Sequence, residues 1–519
     1  MTSAPYERPG IYITESLEPL TGNNFIPGEA VGCFASAFSQ GPTVPTFVKS
    51  WSQYTQFYGG FSTANGSALH YAVYQFFQQG GTGAYILRMP NSDATTATLN
   101  LQDVNSPPDN VLTVNAYSPG KWANNVYVAV TSAGNAGRFN LSVYNSGTAQ
   151  VNLVESFIDL SINPADSRNV VSIVNSTISG SNYIQVVPTL PGAYESGVSD
   201  PALLSPTPLA GGADGVTSPS ISTIIPIMLD TLQGQIINLN VPGVSDVTTI
   251  NDLISWAEGR GDVMLVVDGP APNPPETSAD VVANYIGMIT GGSSITSSTY
   301  CTIYAPYILV TDPASSLPGA TVWLPPGGAV LGVWSRTDNA VGPHQSPAGV
   351  SYGRLNVLDF EVRFTNSDLD TLNVNNINAL RFVPGYFPAI MGARTLEQGY
   401  PDRYIAVRRE LIKLEHDFTY LLQFALFEPN DPHLWAAVTN CVTTYLTQQL
   451  QAQVFGGSTP ADSFSVICDD TNNLPATAQA GILNCAVAVS LLSPAEYILI
   501  NISQFQNTGT TQTTTTTSA

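Results

Sequence analysis

Charged residues are scarce in this sequence, and most of them are acidic. They make up 10% of the 519 residues, and 38 acidic residues outnumber 16 lysines and arginines; roughly a quarter is typical. Because nucleic-acid binding depends on basic side chains that neutralise phosphates, a net charge of −22 argues against a general nucleic-acid-binding protein. A surface with so little charge favours a protein that packs against copies of itself, although secreted β-rich proteins share this composition.

Signals for secretion, membrane insertion and metal binding are also missing. Residues 1–10 contain no apolar segment of the kind that signal peptides require. The most apolar long run, 481–500, is interrupted by polar residues and a proline, so we interpret it as two strands and expect no membrane insertion. The five cysteines are scattered without Cys-x-x-Cys spacing, which predicts small buried thiols in a reducing compartment and no metal site.

Catalytic and phosphate-binding motifs are absent as well. The chain contains no nucleophile elbow, phosphate-binding loop, zinc-protease or calcium-loop signature, so we expect no cofactor and no enzyme. An enzyme nevertheless remains an alternative hypothesis because of one carboxylate. Asp268 ends an apolar run, and α/β enzymes often place a catalytic side chain at the end of such a strand. Arg394 and Glu397 are close enough in sequence to predict a structural ion pair.

The strongest helical pattern lies between residues 403 and 426. At about 100° per residue its apolar side chains share one side, which predicts a core-facing stripe. The opposite side carries Arg409, Lys413 and His416, and with Arg403 and Arg408 these residues define what we call the basic ridge. Six of the 16 lysines and arginines lie between residues 381 and 416, beside only four acidic residues. A solvated helix face is the plain alternative, but this concentration favours a contact surface.

The remaining patterns predict a multidomain α+β and α/β fold. Short alternating strands indicate an inserted all-β domain, and alternating helices and strands after it indicate a parallel or mixed sheet. A strand was also expected at 51–60. The predicted parts are an N-terminal arm (1–20), a small α+β unit (21–89), the β-rich insertion (90–212), an α/β domain (213–385), a C-terminal domain with two helices and strands (386–506) and a disordered Thr-rich tail (507–519).

Ten short motifs follow one another along the chain. They occupy residues 9–15, 41–42, 57–60, 76–88, 118–125, 347–349, 392–396, 404–409, 427–430 and 493–498. Each is weak alone, but together and in this order they resemble the tail sheath protein of contractile phages and related injection machines. Residues 341–345 and the Thr-rich tail depart from the family pattern.

The resemblance implies a structural protein that polymerises helically around a tail tube, in stacked hexameric rings. It implies contraction from a metastable extended state, which drives the tube through the host cell envelope and delivers a genome or effectors. The expected partners are copies of the same chain and the tube, baseplate and tail terminator proteins. The expected location is the contractile tail of a virion, assembled in the host bacterial cytoplasm. Residues 90–212 would decorate the outside of the sheath, and the C-terminal domain would face the tube.

The two chain ends are the candidate inter-subunit strands, because neither has a partner nearby in sequence. They comprise Gly10, Ile11, Tyr12, Ile13 and Thr14 at one end and Tyr497, Ile498, Leu499, Ile500, Asn501 and Ile502 at the other. Such strands suit β-augmentation into neighbouring copies, and contacts of this heterologous kind propagate as a helix. The basic ridge would then contact an acidic surface on the tube or on a neighbouring subunit.

A secreted surface adhesin or carbohydrate-binding protein is the alternative hypothesis. It is suggested by the Thr- and Asn-rich composition and by the β-rich insertion. Paired cysteines or a signal peptide would favour it.

Overall fold

The computed structural model describes residues 30–497, apart from residues 39, 62–66, 106, 136, 177–178, 190–198, 274–275 and 400–402. The predicted N-terminal strand at residues 10–14 therefore lies outside the described residues, and so does the predicted C-terminal strand beyond Tyr497. Between them the chain is a mixture of helices and strands, as its sequence predicts.

The described helices are α1 (Trp51–Tyr58), α2 (Ser67–Gln78), α3 (Val170–Val174), α4 (Ile221–Leu229), α5 (Val247–Arg260), α6 (Ser278–Thr290), α7 (Gly327–Ala340), α8 (Gly349–Tyr352), α9 (Asn366–Val374), α10 (Ile405–Leu421), α11 (Pro432–Gln451), α12 (Pro460–Ser463) and α13 (Pro475–Gln479). The described strands are β1 (Val31–Ser36), β2 (Thr46–Val48), β3 (Ala84–Arg88), β4 (Thr98–Gln102), β5 (Asn110–Ala116), β6 (Val126–Ser132), β7 (Phe139–Asn145), β8 (Leu153–Leu160), β9 (Ile184–Pro188), β10 (Leu204–Pro208), β11 (Ile237–Asn240), β12 (Val263–Asp268), β13 (Cys301–Ala305), β14 (Ile308–Thr311), β15 (Thr321–Leu324), β16 (Asp359–Phe360), β17 (Ile377–Phe382), β18 (Pro388–Ile390), β19 (Phe464–Ile467) and β20 (Ala486–Val489).

An eight-stranded sheet forms the centre of the fold, in the order β18-β17-β13-β12-β11-β1-β3-β2. Its six inner strands run parallel, and the outermost strand at each end is antiparallel to its neighbour. Parallel neighbours need crossover connections, which are usually helical. Helices α5 and α6 supply them between β11 and β13, so the alternation of helix and strand predicted from the sequence is confirmed.

Helices cover both faces of this sheet. Along β1, Cys33 packs with α4, α5, α6 and α9 on one face, whereas the next residue, Phe34, packs with α1, α2, α7 and α10 on the other. Because successive side chains of a strand point to opposite faces, both sets are buried. Strands covered in this way are mainly apolar. In β12 every residue is buried, including the last one, Asp268.

Two glycines allow α7 to lie directly on α2. A Cβ atom built on Gly328 would lie 2.4 Å from the backbone oxygen of Ala72, and one on Gly332 would lie 2.5 Å from the backbone oxygen of Phe76. No larger residue fits at either position unless a helix moves.

The strand expected at 51–60 is wrong, because these residues form helix α1. Ser50 caps the helix through a hydrogen bond that its Oγ accepts from the Gln53 N–H, at 3.1 Å, and Gly59 ends it at a φ of 76°. Aromatic residues, which are typical of strands, produced the wrong prediction. Their spacing at Trp51, Tyr54 and Tyr58 is helical.

Residues 98–208 form two further sheets, β10-β6-β7-β8 and β4-β5-β9, together with α3. Their buried side chains, from Ala97 to Leu209, make a core of their own. The chain enters and leaves this unit at one neck, where the Asp93 carboxylate accepts hydrogen bonds from the N–H groups of Val216 and Thr217, at 3.0 and 2.9 Å.

The C-terminal helices and the β19–β20 hairpin share another core, which α10 joins to the central sheet. Ile412 of α10 packs in the core beneath the sheet, whereas Leu414 packs with α11 and β19. Asp431 caps α11 and Pro432 is its first residue. Within the described ranges, no helix combines the length and apolarity that crossing a membrane requires, and no group of three or more His, Cys, Asp or Glu could hold a metal ion.

Candidate functional site

The predicted basic ridge is largely inside the chain. Every residue from 405 to 410 is buried, and Arg408 and Arg409 are only 1% and 3% exposed. The expectation that Arg409 faces away from the core is therefore wrong. The first turns of α10 are buried because Ile405 packs in the core beneath the central sheet and Arg409 contacts α7.

Arg409 connects α10 to α7. Its Nη2 donates a hydrogen bond to Oδ2 of Asp338, and its guanidinium carbon lies 4.5 Å from the centre of the Trp334 ring. Burial raises the pKa of Asp338, and the charge of Arg409 opposes that rise. The Nε and Nη1 atoms of Arg409 are buried without a hydrogen-bond partner among the described residues. This is a structural ion pair between two helices.

The other cations of α10 are also paired with carboxylates. Arg408 donates through Nη2 to Oε1 of Glu415 at 3.2 Å. Lys413 Nζ lies 3.2 Å from Oε1 of Glu410 and 3.6 Å from Oδ2 of Asp417. Burial raises the pKa of Glu410, and Lys413 opposes that rise.

His416 adds a contact to the loop before β11. Its Nε2 lies 2.5 Å from the backbone oxygen of Gly234, and its Nδ1 lies 3.6 Å from Oδ1 of Asp417. The interaction with Asp417 raises the pKa of His416. Both groups therefore favour the protonated imidazole, which ties α10 to the central domain.

We call these eight side chains the ionic cluster: Arg408, Arg409, Lys413, His416, Asp338, Glu410, Glu415 and Asp417. Its carboxylates neutralise the cations within the chain, so most of the predicted ridge offers no free positive charge. Arg403 lies outside the cluster, is half-buried and donates through Nη2 to the backbone oxygen of Gln398 at 2.8 Å. Three of the four acids lie on α10 itself, but Asp338 comes from α7, and no sequence pattern pairs it with Arg409.

A second site fixes the point where the C-terminal segment leaves the domain. Arg394 donates through Nε to Oε1 of Glu496 at 2.9 Å and through Nη2 to Oε2. Its Nη1 donates to the backbone oxygen of Asn373 at 2.7 Å. The pair with Glu496 raises the pKa of Arg394. Arg394 is therefore paired with Glu496 and not with Glu397, which corrects the expected ion pair.

Tyr497 is the one described residue of the predicted C-terminal strand. It is in no strand, and its hydroxyl accepts a hydrogen bond from Nδ2 of Asn373 at 2.9 Å, although its side chain is 69% exposed. We call the contacts of Glu496 and Tyr497 with Arg394 and Asn373 the exit clasp. It holds the chain against α9 immediately before residue 498.

The β19–β20 hairpin is an isolated two-stranded sheet in the described part of the chain. Its strands pair antiparallel, and its side chains are mostly part-exposed; Ile467 is 44% exposed. Two strands alone are marginally stable in water, and free strand edges are templates for further pairing. Among the described residues, no further strand pairs with the outer edges of β19 and β20; just beyond β20, Leu491 forms an isolated bridge with Phe455.

Asp268 is not accessible to solvent. It is 0% exposed, and its carboxylate accepts hydrogen bonds from the N–H of Gly327 at 2.8 Å, the N–H of Gly243 at 3.2 Å and Nδ2 of Asn240 at 3.1 Å. Burial raises the pKa of Asp268 to about 6. Because Gly327 begins α7, the carboxylate serves as a buried helix cap. This role explains its position without catalysis.

Comparisons with known proteins agree with the motif pattern. No family model matches the chain. The tail sheath protein of Enterobacteria phage T4 is 26% identical over 267 residues, which are 49% of this chain and 38% of that protein. The chain thus matches well under half the length of this curated relative.

Solved structures match over nearly the whole chain. The sheath of an extracellular contractile injection system, PVC, in its contracted state gives a TM-score of 0.56 at 19% identity, covering 97% of this chain and 99% of that one. The contracted helical sheath of the anti-feeding prophage gives 0.55 at 19% identity, covering 96% and 100%. A sheath tail protein from Listeria innocua gives 0.58 at 14% identity, covering 86% and 90%. The resemblance that the motifs predicted is confirmed, and the chain has the fold of these sheath proteins.

Proposed function

We propose that this chain is the structural subunit of a contractile sheath. It polymerises helically around a tube and contracts from a metastable extended state to drive that tube through a host cell envelope. The observation that carries the proposal is the agreement of the fold, over 96% and 97% of the chain, with sheath proteins in contracted assemblies. The ten motifs in sequence order support it independently.

Inter-subunit strands hold the polymer together in this proposal. The segments around residues 10–14 and 497–502 add to sheets of neighbouring copies, and the outer edges of the β19–β20 hairpin are the acceptor. Its two-stranded sheet and part-exposed side chains support this assignment. Main-chain hydrogen bonds supply affinity in such pairing, and the covalent connection of each strand to its own subunit keeps neighbours at high effective concentration while the lattice rearranges.

The exit clasp gives the C-terminal strand a fixed origin. Arg394 holds Glu496 beside Asn373 of α9, so movement of this part of the fold is passed to the strand that a neighbouring copy holds. This coupling would allow subunits to slide and rotate during contraction without separating.

The proposal also assigns positions within the sheath. Residues 90–212 form the outer domain, and residues 386–506 form the inner domain against the tube. Tube, baseplate and terminator proteins are the partners, and assembly takes place in the host cytoplasm as part of a contractile tail. Arg403 is the residue of the basic ridge that we retain as a contact with acidic surface, since the others are neutralised within the chain.

Electron microscopy of the purified protein tests the proposal. Negative-stain images over a concentration series are expected to show hollow, cross-striated tubes. Deleting residues 1–16 or 498–519 should leave a folded monomer that forms none, because those strands serve neighbours and the exit clasp is kept. Tubes formed by either truncated chain would overturn the strand assignment.

A pair of matched variants tests the acceptor hairpin. Ile467→Lys places a charge on a free edge strand and should abolish tubes with little change in the unfolding temperature. Ile158→Lys is the control, since Ile158 is 61% exposed on β8, at the edge of another sheet. Equal effects of the two variants would exclude the hairpin as the acceptor. Discrete small particles from the full chain, even with a tube protein added, would instead favour the adhesin.

A further inference from the structure

Two cysteines face each other at the end of the β19–β20 hairpin. The register pairs Phe464 with Val489 and Ile467 with Ala486, so the next pair along the ladder is Cys468 with Cys485. Directly opposite residues on antiparallel strands have Cβ atoms about 4.5–5.5 Å apart, close to the roughly 4 Å of a disulfide.

A network of asparagines holds this end of the hairpin together. The Asn484 N–H donates to Oδ1 of Asn473 at 2.6 Å, and Nδ2 of Asn473 donates to the backbone oxygen of Asn484 at 2.8 Å. The same Nδ2 lies 3.9 Å from Sγ of Cys468. These hydrogen bonds hold together the two ends of the segment that connects Cys468 to Cys485.

The other three cysteines have different surroundings. Cys33 and Cys301 are fully buried in the central sheet, on strands that are not neighbours, and burial raises the pKa of both thiols. Cys441 lies on α11 and is part-exposed. By contrast, the hydrogen bond from Cys485 lowers the pKa of Cys468, which favours its reactive thiolate.

We propose that Cys468 and Cys485 form a redox site, in which a small-molecule disulfide converts the facing thiols into a disulfide across the hairpin. One cysteine thiolate attacks the small disulfide and expels one thiolate, leaving a mixed disulfide. The second cysteine loses its proton and attacks the protein sulfur of that bond, expelling the other thiolate. Two protein thiols are oxidised, and one small disulfide is reduced to two thiols.

Oxidation would join β19 covalently to β20. The consequence for assembly rests on the proposed function. There, the disulfide would fix the β19–β20 hairpin, which accepts the strands of neighbouring copies, and would make the assembled sheath more resistant to dissociation. The chain would be reduced during assembly and oxidised after release from the cell.

Thiol mapping tests the site directly. The full chain is incubated under native conditions with oxidised glutathione; free thiols are then alkylated in denaturant, and the peptides are identified by mass spectrometry. We expect two thiols per chain to be lost, at positions 468 and 485, in one linked peptide pair about two mass units lighter. Cys441→Ser, the control, should behave in the same way. Cys485→Ser should instead carry glutathione or remain free at Cys468.

Loss of no thiol, or linkage through Cys441, would overturn the proposal. The second measurement compares the urea concentration at which tubes dissociate before and after oxidation. This concentration should rise on oxidation in the full chain and stay unchanged in Cys485→Ser. If the Cys468–Cys485 disulfide forms completely and the dissociation curve does not shift, the proposed stabilisation of the assembled sheath is refuted. Failure to form tubes in either redox state would count against the proposed function, while the thiol map would still decide the redox site.

Discussion

Replacing Arg409 by methionine is the sharpest test of how α10 is held. Methionine is similar in length and lacks the charge, so the variant leaves Asp338 without its cation. The Arg409 side chain is 2% exposed and that of Asp338 13%. Removing one partner of a buried ion pair typically costs about 3–5 kcal/mol, because the other charge stays buried and unpaired. We expect a loss of that size in the free energy of unfolding.

The chain contains a matched control for this substitution. Arg363 also contacts an aspartate, at 2.8 Å from Asp359, and its guanidinium carbon lies 4.2 Å from the centre of the Phe382 ring. The pair has the same chemistry as Arg409 with Asp338 and Trp334, but its side chains are 65% and 42% exposed. Since exposed pairs contribute about 0–1 kcal/mol, Arg363→Met should change stability by less than about 1 kcal/mol.

Urea unfolding followed by circular dichroism, at concentrations where the full chain is monomeric, measures both variants. The double variant Arg409→Met, Asp338→Asn should lose about 1–3 kcal/mol less than the sum of the single variants, because neither charge is left alone. If Arg409→Met costs no more than Arg363→Met, the guanidinium is hydrated and the burial argument is refuted. A large loss in the free energy of unfolding would show that Arg409 is needed for folding. Substitutions at Arg409 could then not be used to test contact with a tube.

Three further predictions follow from local geometry. Gly332→Ala should destabilise the chain by about 1–3 kcal/mol in the same urea assay, since its Cβ would meet the α2 backbone. Gly287→Ala is the control, because its Cβ has open space, and it should stabilise the chain by about 0.5–1 kcal/mol. Equal effects of the two variants would refute the close packing of α7 on α2. Burial lifts the folded-state pKa of Asp268 above its unfolded value, so its contribution to stability falls as pH rises from about 4 to about 6. The stability of the native chain relative to Asp268→Asn should therefore fall by about 1 kcal/mol between pH 5 and pH 7.5; a pH-independent difference would contradict this. Glu496→Ala should lower the free energy of unfolding by about 1.5–3 kcal/mol, because it leaves Arg394 without its carboxylate. It should also speed proteolysis after residue 496, and an unchanged rate of proteolysis would argue against the exit clasp.

The sequence alone determined the class of the protein and much of its local structure. Helix α10 lies inside the helical pattern predicted at 403–426, and α5, α6, β11 and β12 follow the predicted alternation of helix and strand. Both signals could be recognised because a 3.6-residue or two-residue repeat is a local property. The cap at the Asp431–Pro432 start of α11 depends on adjacent residues, so it is local information as well. The order of ten motifs pointed to the sheath fold that the comparisons confirm.

Only the tertiary structure decided what these elements do to one another. A helical wheel shows which side chains share a side but not what covers it, so Arg409 appeared exposed until α7 supplied Asp338, 71 residues earlier. Arg394 pairs with Glu496 across 102 residues, although Glu397 is only three residues away in sequence. Cys468 and Cys485 looked scattered until the hairpin register placed them opposite each other. Such contacts arise from chain reversal and packing, which no local pattern of residues records.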